Sequence, residues 1–306
     1  MAADLILRGY GDTSIREDVV LNAVQMITPV ENWFVKNLGS SKAVALTHIF
    51  LEDTFRSRAT QSVESGNDYT ALALTTPTRL TNIVEHVAVP FKVNYSEQFV
   101  EHYTGQNELE RQTTKALSEW GEAAEFDLVR STLISGASGT TPKLSGILQA
   151  ISKSTNYTLQ TSGTVFSASI LNGLMKAQWD NSTVLATDLF VGSAMRVTID
   201  SFTQKANVVV ASLGVTEIVN SVDVFRTSHG NVRLHNHRDV FVSGTDANSR
   251  VLAVNPDTMK IAYLKMPYVR KDLASSGPYD FRAIAGDLTL EVRYRDANFF
   301  ADGYLI

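Results

Sequence analysis

"VAVPFKVNYSEQFVEH", Val87 to His102, sets Val87, Val89, Phe91, Val93 and Tyr95 alternately with Ala88, Pro90, Lys92, Asn94 and Ser96. A period of two puts the apolar set on one side of an extended chain, the pattern of a half-buried strand. Just downstream "TGQNELERQTTKALSEWGEAAEFDLVRSTLISG", Thr104 to Gly136, changes to helical spacing. Asn107 is placed to cap a first turn, and Glu110 three residues later completes a capping-box pattern. Leu109, Ala116, Leu117, Trp120, Ala124 and Leu128 recur at helical spacings and form one stripe. The pattern predicts a helix as far as Ile134, roughly 42 Å long at 1.5 Å per residue, enough to cross a whole domain.

Upstream, "ALTHIFLEDTF" reads as another strand, and "RSRATQSVESGNDYTALALTTPTRLTN" is polar, rich in Thr and Ser, and broken by Gly66 and Pro77. Two strands around a polar tip predict a long hairpin, in which the stretch from Ile83 to Ser96 alone reaches about 46 Å. Residues 1 to about 46 lack sustained periodicity and read as an extended arm with one short helix. After Pro142 the expected helices "SASILNGLMKAQWDN" and "GSAMRVTIDSFTQ" alternate with β-rich runs such as "TEIVNSVDVF" and "DVFVSG", a mixed α+β signature. "SHGNVRL" predicts a hairpin turning at His229 and Gly230. "DLTLEVRYR" alternates Leu288, Leu290, Val292 and Tyr294 against Thr289, Glu291, Arg293 and Arg295, so a one-sided strand is expected there.

With 306 residues, a hydrophobic content of 44% and a charged content of 19%, the chain has the composition of a folded protein that buries a large core. No apolar run approaches the roughly 18 residues needed to cross a bilayer, and the N-terminus lacks a secretory pattern. Residence in the cytosol until lysis is the expectation. The 27 Lys and Arg against 32 Asp and Glu give a formal charge of −5 without a dense basic stretch, which argues against sequestering nucleic acid by charge. Zero cysteines remove disulfides, thiolate catalysis and cysteine-ligated metals together.

Signatures of chemistry are sparse. "GYGDTS" carries only two glycines of a dinucleotide fingerprint and reads as a turn; there is no P-loop ending, nucleophile elbow or His-Glu-x-x-His. "LHNHRD" puts His235 and His237 on one strand face with Asp239 beyond, a conceivable facial metal site, though solvent-facing strand histidines are the plainer reading. Glu108, Glu110, Glu119, Glu122, Glu125 and Asp127 fall mostly off the apolar stripe and read as a solvated or subunit-facing surface. The sequence offers a scaffold without a reaction, so neither an enzyme nor a cofactor is expected.

The order of arm, hairpin with polar tip, long helix, mixed middle and closing strand resembles the major capsid proteins of tailed phages, the Hong Kong 97 fold. "THIFLEDTF", "ESGNDYT" with a later Asn82, "EFDLVRSTLISG", "LSGILQAI", "SHGNVRLHNHRD", "AVNPDTMKIAYLKMP" and "GDLTLEVRYRDANFFADG" add sequence-level resemblance in the right order, over about residues 25 to 304. The resemblance implies an N-terminal arm (1–46), an E-loop hairpin (47–104), a spine helix of a peripheral domain (105–141), an axial domain (142–255) and a C-terminal part of the peripheral domain (256–306). It implies a virion protein, assembled in the host cytoplasm, whose partner is itself. Hexamers and pentamers would close around double-stranded DNA, with portal, scaffold or decoration proteins as further partners. A shell of a cellular nanocompartment, encapsulin-like and enclosing an enzyme, is the alternative on the same fold. An enzyme working at "LHNHRD" is a third.

On this reading the face of Val87, Val89, Phe91, Val93 and Tyr95 lies partly against a neighbouring subunit, and the tip charges Arg56, Arg58, Glu64, Asp68 and Arg79 pair across subunits. Two departures from the family's best-known member matter. No lysine lies between Lys42 and Lys92 to form a covalent cross-link from the hairpin tip. The resemblance also begins within about 25 residues of Met1, so an unprocessed N-terminus, with a separate scaffold or none, is expected.

Overall fold

The computed structural model describes residues 32–53, 74–99, 107–136, 139–160, 163–204, 223–238, 249–271 and 277–305, with positions 55, 62, 64–66, 68, 273 and 274. A short helix α1 (Trp33–Asn37) leads into β1 (Gly39–Lys42), then β2 (Thr47–Glu52), β3 (Thr78–Ile83) and β4 (Glu85–Asn94). The long helix α2 (Glu108–Arg130) follows, then α3 (Ile147–Ile151), β5 (Tyr157–Leu159), α4 (Ala168–Asn181), β6 (Asp188–Val191) and α5 (Ser193–Gln204). The chain ends with β7 (Val224–Thr227), β8 (Gly230–Asn236), β9 (Val251–Val254), β10 (Met259–Arg270), β11 (Tyr279–Val292) and β12 (Phe299–Asp302).

The long strand expected from Ile83 to Ser96 is two strands with two jobs. β3 pairs antiparallel with β2, from Thr47↔Ile83 to Glu52↔Thr78, and this pair alone is the hairpin. β4 instead joins the edge of a four-stranded sheet of order β1-β10-β11-β4, in register from Glu85↔Leu288 to Asn94↔Tyr279. The break falls at Val84, whose N–H donates to the Leu46 carbonyl at 2.8 Å. Beside it the buried Asn82 side chain donates to the carbonyls of Ser145 and Leu290 and accepts from the Ser145 N–H. A side chain that ties three segments together fixes the direction of the chain there.

α2 starts as expected, with the Asn107 side chain accepting from the Leu109 N–H at 2.9 Å. It ends at Arg130 rather than Ile134, because Ser131 turns extended and its carbonyl accepts from the Gly146 N–H. Gly146 is required at that crossing: a Cβ there would lie 2.9 Å from both the Ser131 nitrogen and the Val129 carbonyl. Ala116, Trp120, Ala124 and Leu128 are buried as the stripe predicts, whereas Leu117 is 52% exposed and Glu125 is fully buried. Leu117 lies 100° from Ala116 around the helix, off the buried face.

The second sheet has six strands in the order β5-β12-β9-β6-β8-β7. One face packs on α4 and α5 through Leu171, Met175, Met195 and Ile199; the other shares a core with α1, α2 and α3 through Phe34, Phe190, Leu252, Val254 and Phe300. β12 thus pairs in this sheet with β5 and β9, strands of the middle of the chain. "DLTLEVRYR" is not one-sided, since Thr289 and Glu291 are as buried as Leu288 and Leu290. Beyond Leu288 β11 has left β4 and runs beside β10 alone, where Asn82 donates to the Leu290 carbonyl and Ser41 to the Glu291 carboxylate, so its polar face is covered as well. The β7–β8 hairpin forms, with Ser228 and His229 as its turn and Thr227 opposite Gly230. "DVFVSG" and most of "TEIVNSVDVF" lie outside the described residues.

Candidate assembly surface

The β2–β3 hairpin leaves the body with its two faces differently dressed. His48, Phe50 and Glu52 alternate inward with Leu80 and Asn82, while Ile49, Leu51, Arg79 and Thr81 point outward. Ile49 is 45% and Leu51 64% exposed, and Val44 and Leu46, just before β2, are more exposed still. Two aliphatics on the solvent side of a two-stranded ribbon are not explained by this chain's own core.

The root of the hairpin is held by Glu291, a carboxylate only 2% exposed at the end of β11. Arg293 Nε donates to it at 2.5 Å and Ser41 Oγ at 3.0 Å, and His48 Nε2 lies 3.6 Å away. Burial pushes this carboxyl up, but the bonds from Arg293 and Ser41 and the charges of Arg293 and His48 outweigh it and hold it below the usual carboxylate range. The opposite holds for Glu85 at the start of β4. Burial raises its carboxyl, the Leu144 N–H lowers it less, and neighbouring Asp127 raises it further.

A second anchor joins regions far apart in sequence. Glu125, fully buried on α2, accepts from the Phe34 and Val35 N–H groups at 2.8 Å each, standing in for the missing side-chain cap of α1. His237 Nε2 lies 2.9 Å from the same carboxylate, just past the end of β8. Phe190 lies against Trp33 and Phe34, with ring centroids 4.7 Å away in each case. The sequence reading put Glu125 among the acids of a solvated or subunit-facing surface, and the structure corrects this. Its signal was its place between Ala124 and Leu128 on the buried stripe.

The histidines of "LHNHRD" do not share a metal site. His235 Nε2 meets the buried Asp188 at 2.8 Å, beside Arg233, while His237 faces Glu125. His237 is 3% exposed, so solvent-facing strand histidines are not what the structure has either. Asp239 lies outside the described residues, and among those described no three metal-ligating side chains cluster. Among them, too, no helix is long and apolar enough to cross a membrane.

The predicted contact residues separate. Val87 and Val93 are 7% and 4% exposed and pack within this chain's own core, with Val89 and Phe91 half-buried against it. Trp120 Nε1 donates to the Val87 carbonyl at 3.0 Å, and Val87 shares a core with Ala116 and Trp120 of α2, so this end of the strand's apolar face is covered within the chain. Tyr95, at the far end, is 58% exposed and forms an edge-on pair with Phe99, itself 71% exposed. Arg79, Glu64 and Asp68 are exposed, while Arg56 and Arg58 lie outside the described residues.

Residues 8–304 match the profile of the SU10 major capsid protein family. The fold is similar to the capsid of a native GTA particle, at TM-score 0.70 and 11% identity over 99% of this chain and 100% of that one. It is similar to a structure of Microbacterium phage Oxtober96, at TM-score 0.61 and 11% identity over 94% and 95%. The holo-SrpI encapsulin complex from Synechococcus elongatus PCC 7942 follows at TM-score 0.59 and 12% identity over 93% and 95%. No curated protein sequence matches. The likeness shows the fold, and the α+β architecture of the Hong Kong 97 type expected above is the one adopted.

Proposed function

Because the chain belongs to the SU10 major capsid protein family, we propose that it closes a phage head by self-assembly into hexamers and pentamers around double-stranded DNA. The observation that carries this reading is the β2–β3 hairpin, whose outer face leaves Ile49 and Leu51 uncovered in the single chain. The exposed pair Tyr95 and Phe99 offers a second, different apolar patch. Two unlike sticky surfaces on one subunit favour head-to-tail contacts, which generate rings when the rotation closes. The tip charges Arg56, Arg58, Glu64, Asp68 and Arg79 add polar contacts between copies, and DNA is held by enclosure, consistent with the net charge of −5.

The likeness to the encapsulin complex supports a second reading, a nanocompartment shell on the same fold. Electron microscopy of purified protein tests assembly: closed shells are expected from the wild type, and monomers or small oligomers from Ile49→Ser with Leu51→Asp. Shells that form equally well in the variant would overturn the role of the hairpin face. Nuclease-protected double-stranded DNA in native particles favours the head; particles free of DNA that carry a protein cargo favour the compartment.

A further inference from the structure

The last turn of α2 carries an acid where a helix end disfavours one. The carbonyl end of a helix is partly negative and favours cations, yet Asp127 stands there, within a turn of the final Arg130. Its side chain is half-buried and makes neither a hydrogen bond nor an ion pair with a described residue. Burial pushes its carboxyl above the usual range, and the charge of Lys143 offsets this only in part.

Glu85 faces the same spot from the start of β4. Only 5% exposed, it accepts from the Leu144 N–H at 3.1 Å, and its carboxyl is raised first by burial and again by the charge of Asp127. Ser131, directly after the helix and 6% exposed, closes the group. Its N–H still donates to the Asp127 carbonyl at 3.0 Å, and the i,i+4 spacing puts the two side chains on one face. The Gly146 N–H donates to the Ser131 carbonyl, and Ile134 and Lys143 exchange two bonds, so the segments at 131 and 144 run side by side. The Ser131 hydroxyl is thereby directed at the Glu85 carboxylate, yet it completes no hydrogen bond. Lys143 is near both carboxylates but forms an ion pair with neither.

Two carboxylates, a buried hydroxyl without a partner and the negative end of a helix thus converge, with oxygen as the only donor atom. Oxygen donors select a hard cation, and two negative charges match a divalent one. Calcium accepts an irregular shell, whereas magnesium holds to a strict octahedron.

We propose that Glu85, Asp127 and Ser131 form a site for one divalent hard cation, calcium in preference to magnesium, with water completing its shell. A cation there ties the start of β4 to the end of α2, next to Val84, where the chain turns from the hairpin into the sheet. It stiffens the hairpin root within one subunit, whether or not a shell forms.

Terbium, which occupies calcium sites, reports on this one because Trp120 lies two turns before Asp127 on the same side of α2, about 10 Å away along the axis. In full-length protein stripped with EDTA, excitation of tryptophan should give terbium emission that saturates at one ion per chain. Calcium should displace it with half-effect at roughly 0.1 to 1 mM. Asp127→Asn should weaken binding about tenfold, and Ser131→Ala, which removes a donor and no charge, several-fold. Glu119→Gln, at an exposed acid on the same helix, should leave it unchanged. Melting separates a cation ligand from a merely structural acid. In EDTA, Asp127→Asn should melt no lower than wild type; in millimolar calcium the wild type should gain several degrees and overtake it. Emission that does not saturate, or affinity indifferent to both Asp127→Asn and Ser131→Ala, overturns the proposal. So does a wild type unmoved by calcium whose melting temperature falls in Lys143→Met, since the ammonium would then be the counter-charge.

Discussion

Nε2 of His237 and the carboxylate of Glu125 meet at 2.9 Å although 112 positions separate them, and both side chains are almost wholly buried. Because Glu125 also holds the first N–H groups of α1, one carboxylate fixes both the end of the N-terminal region and the strand region of β8 to the long helix. Glu125→Ala strips three donors, two of them buried, of their acceptor. Its cost should be about 3 kcal/mol or more, read as a fall in the denaturant midpoint of the unassembled subunit. His237→Ala leaves the two N–H bonds in place and should cost less.

Two buried glutamates at the hairpin root should respond to pH with opposite sign. The Glu291 carboxyl is held below its unfolded value, so its contribution is present above the ordinary carboxylate range and is lost as pH falls through its lower folded value. Glu85 is raised, so its stabilising contribution is full below the ordinary range and is lost as pH rises through its higher folded value. Glu291→Gln is therefore expected to lower the melting temperature at pH 7 and to flatten the acid side of the curve. Glu85→Gln keeps an acceptor for the Leu144 N–H and should hold or raise the melting temperature at pH 7. Parallel shifts in the two variants would refute the assignment.

Gly286 lies on β11 opposite Val87, where a Cβ would come within 2.8 Å of Trp120 and 3.2 Å of the Pro267 backbone. The Trp120 ring is tied to the Val87 carbonyl and the backbone at Pro267 has no rotamer to change. Gly286→Ala should destabilise the subunit by about 1 to 3 kcal/mol through overpacking. A neutral substitution would mean that the β10–β11 pair yields more easily than its contacts imply.

Replacing Arg56 and Arg58 by Ala tests the tip charges. If they pair between copies, shells should come apart at lower salt than wild type while the isolated subunit melts unchanged. Each exposed pair is worth only about 0 to 1 kcal/mol, but the contact recurs in every subunit. An unchanged dissociation midpoint would leave the tip as a solvated loop.

With no lysine between Lys42 and Lys92, particles boiled in detergent should run as a single monomer band. A ladder of multimers would show a covalent link from another position.

What the sequence disclosed, and what it withheld, follows from the range of the interactions. Alternation from Val87 to Val93 and the cap at Asn107 are local signals, and both elements form where they were read. The division at Val84 was hidden because its cause is the Asn82 side chain reaching carbonyls 63 and 208 positions away. Reading the two strands as one made Val87 and Val93 look available to a neighbour, when both are buried in the single chain, Val87 against Trp120 of the long helix. Periodicity gave the buried face of α2 but not the reason for an acid on it, since the donors for Glu125 come from two distant segments. The exposed aliphatics of β2 were present in "THIFLE", but which of them face solvent depended on the pairing register with β3.

The last strand, Phe299–Asp302, is inserted between Tyr157–Leu159 and Val251–Val254 and hydrogen-bonds to both. Remove that strand and the sheet is split one position in from its edge, with β5 left without its ladder partner. Strand order thus makes the seating of the Tyr157 edge depend on a segment about 140 positions away, however complete the hairpin and the long helix.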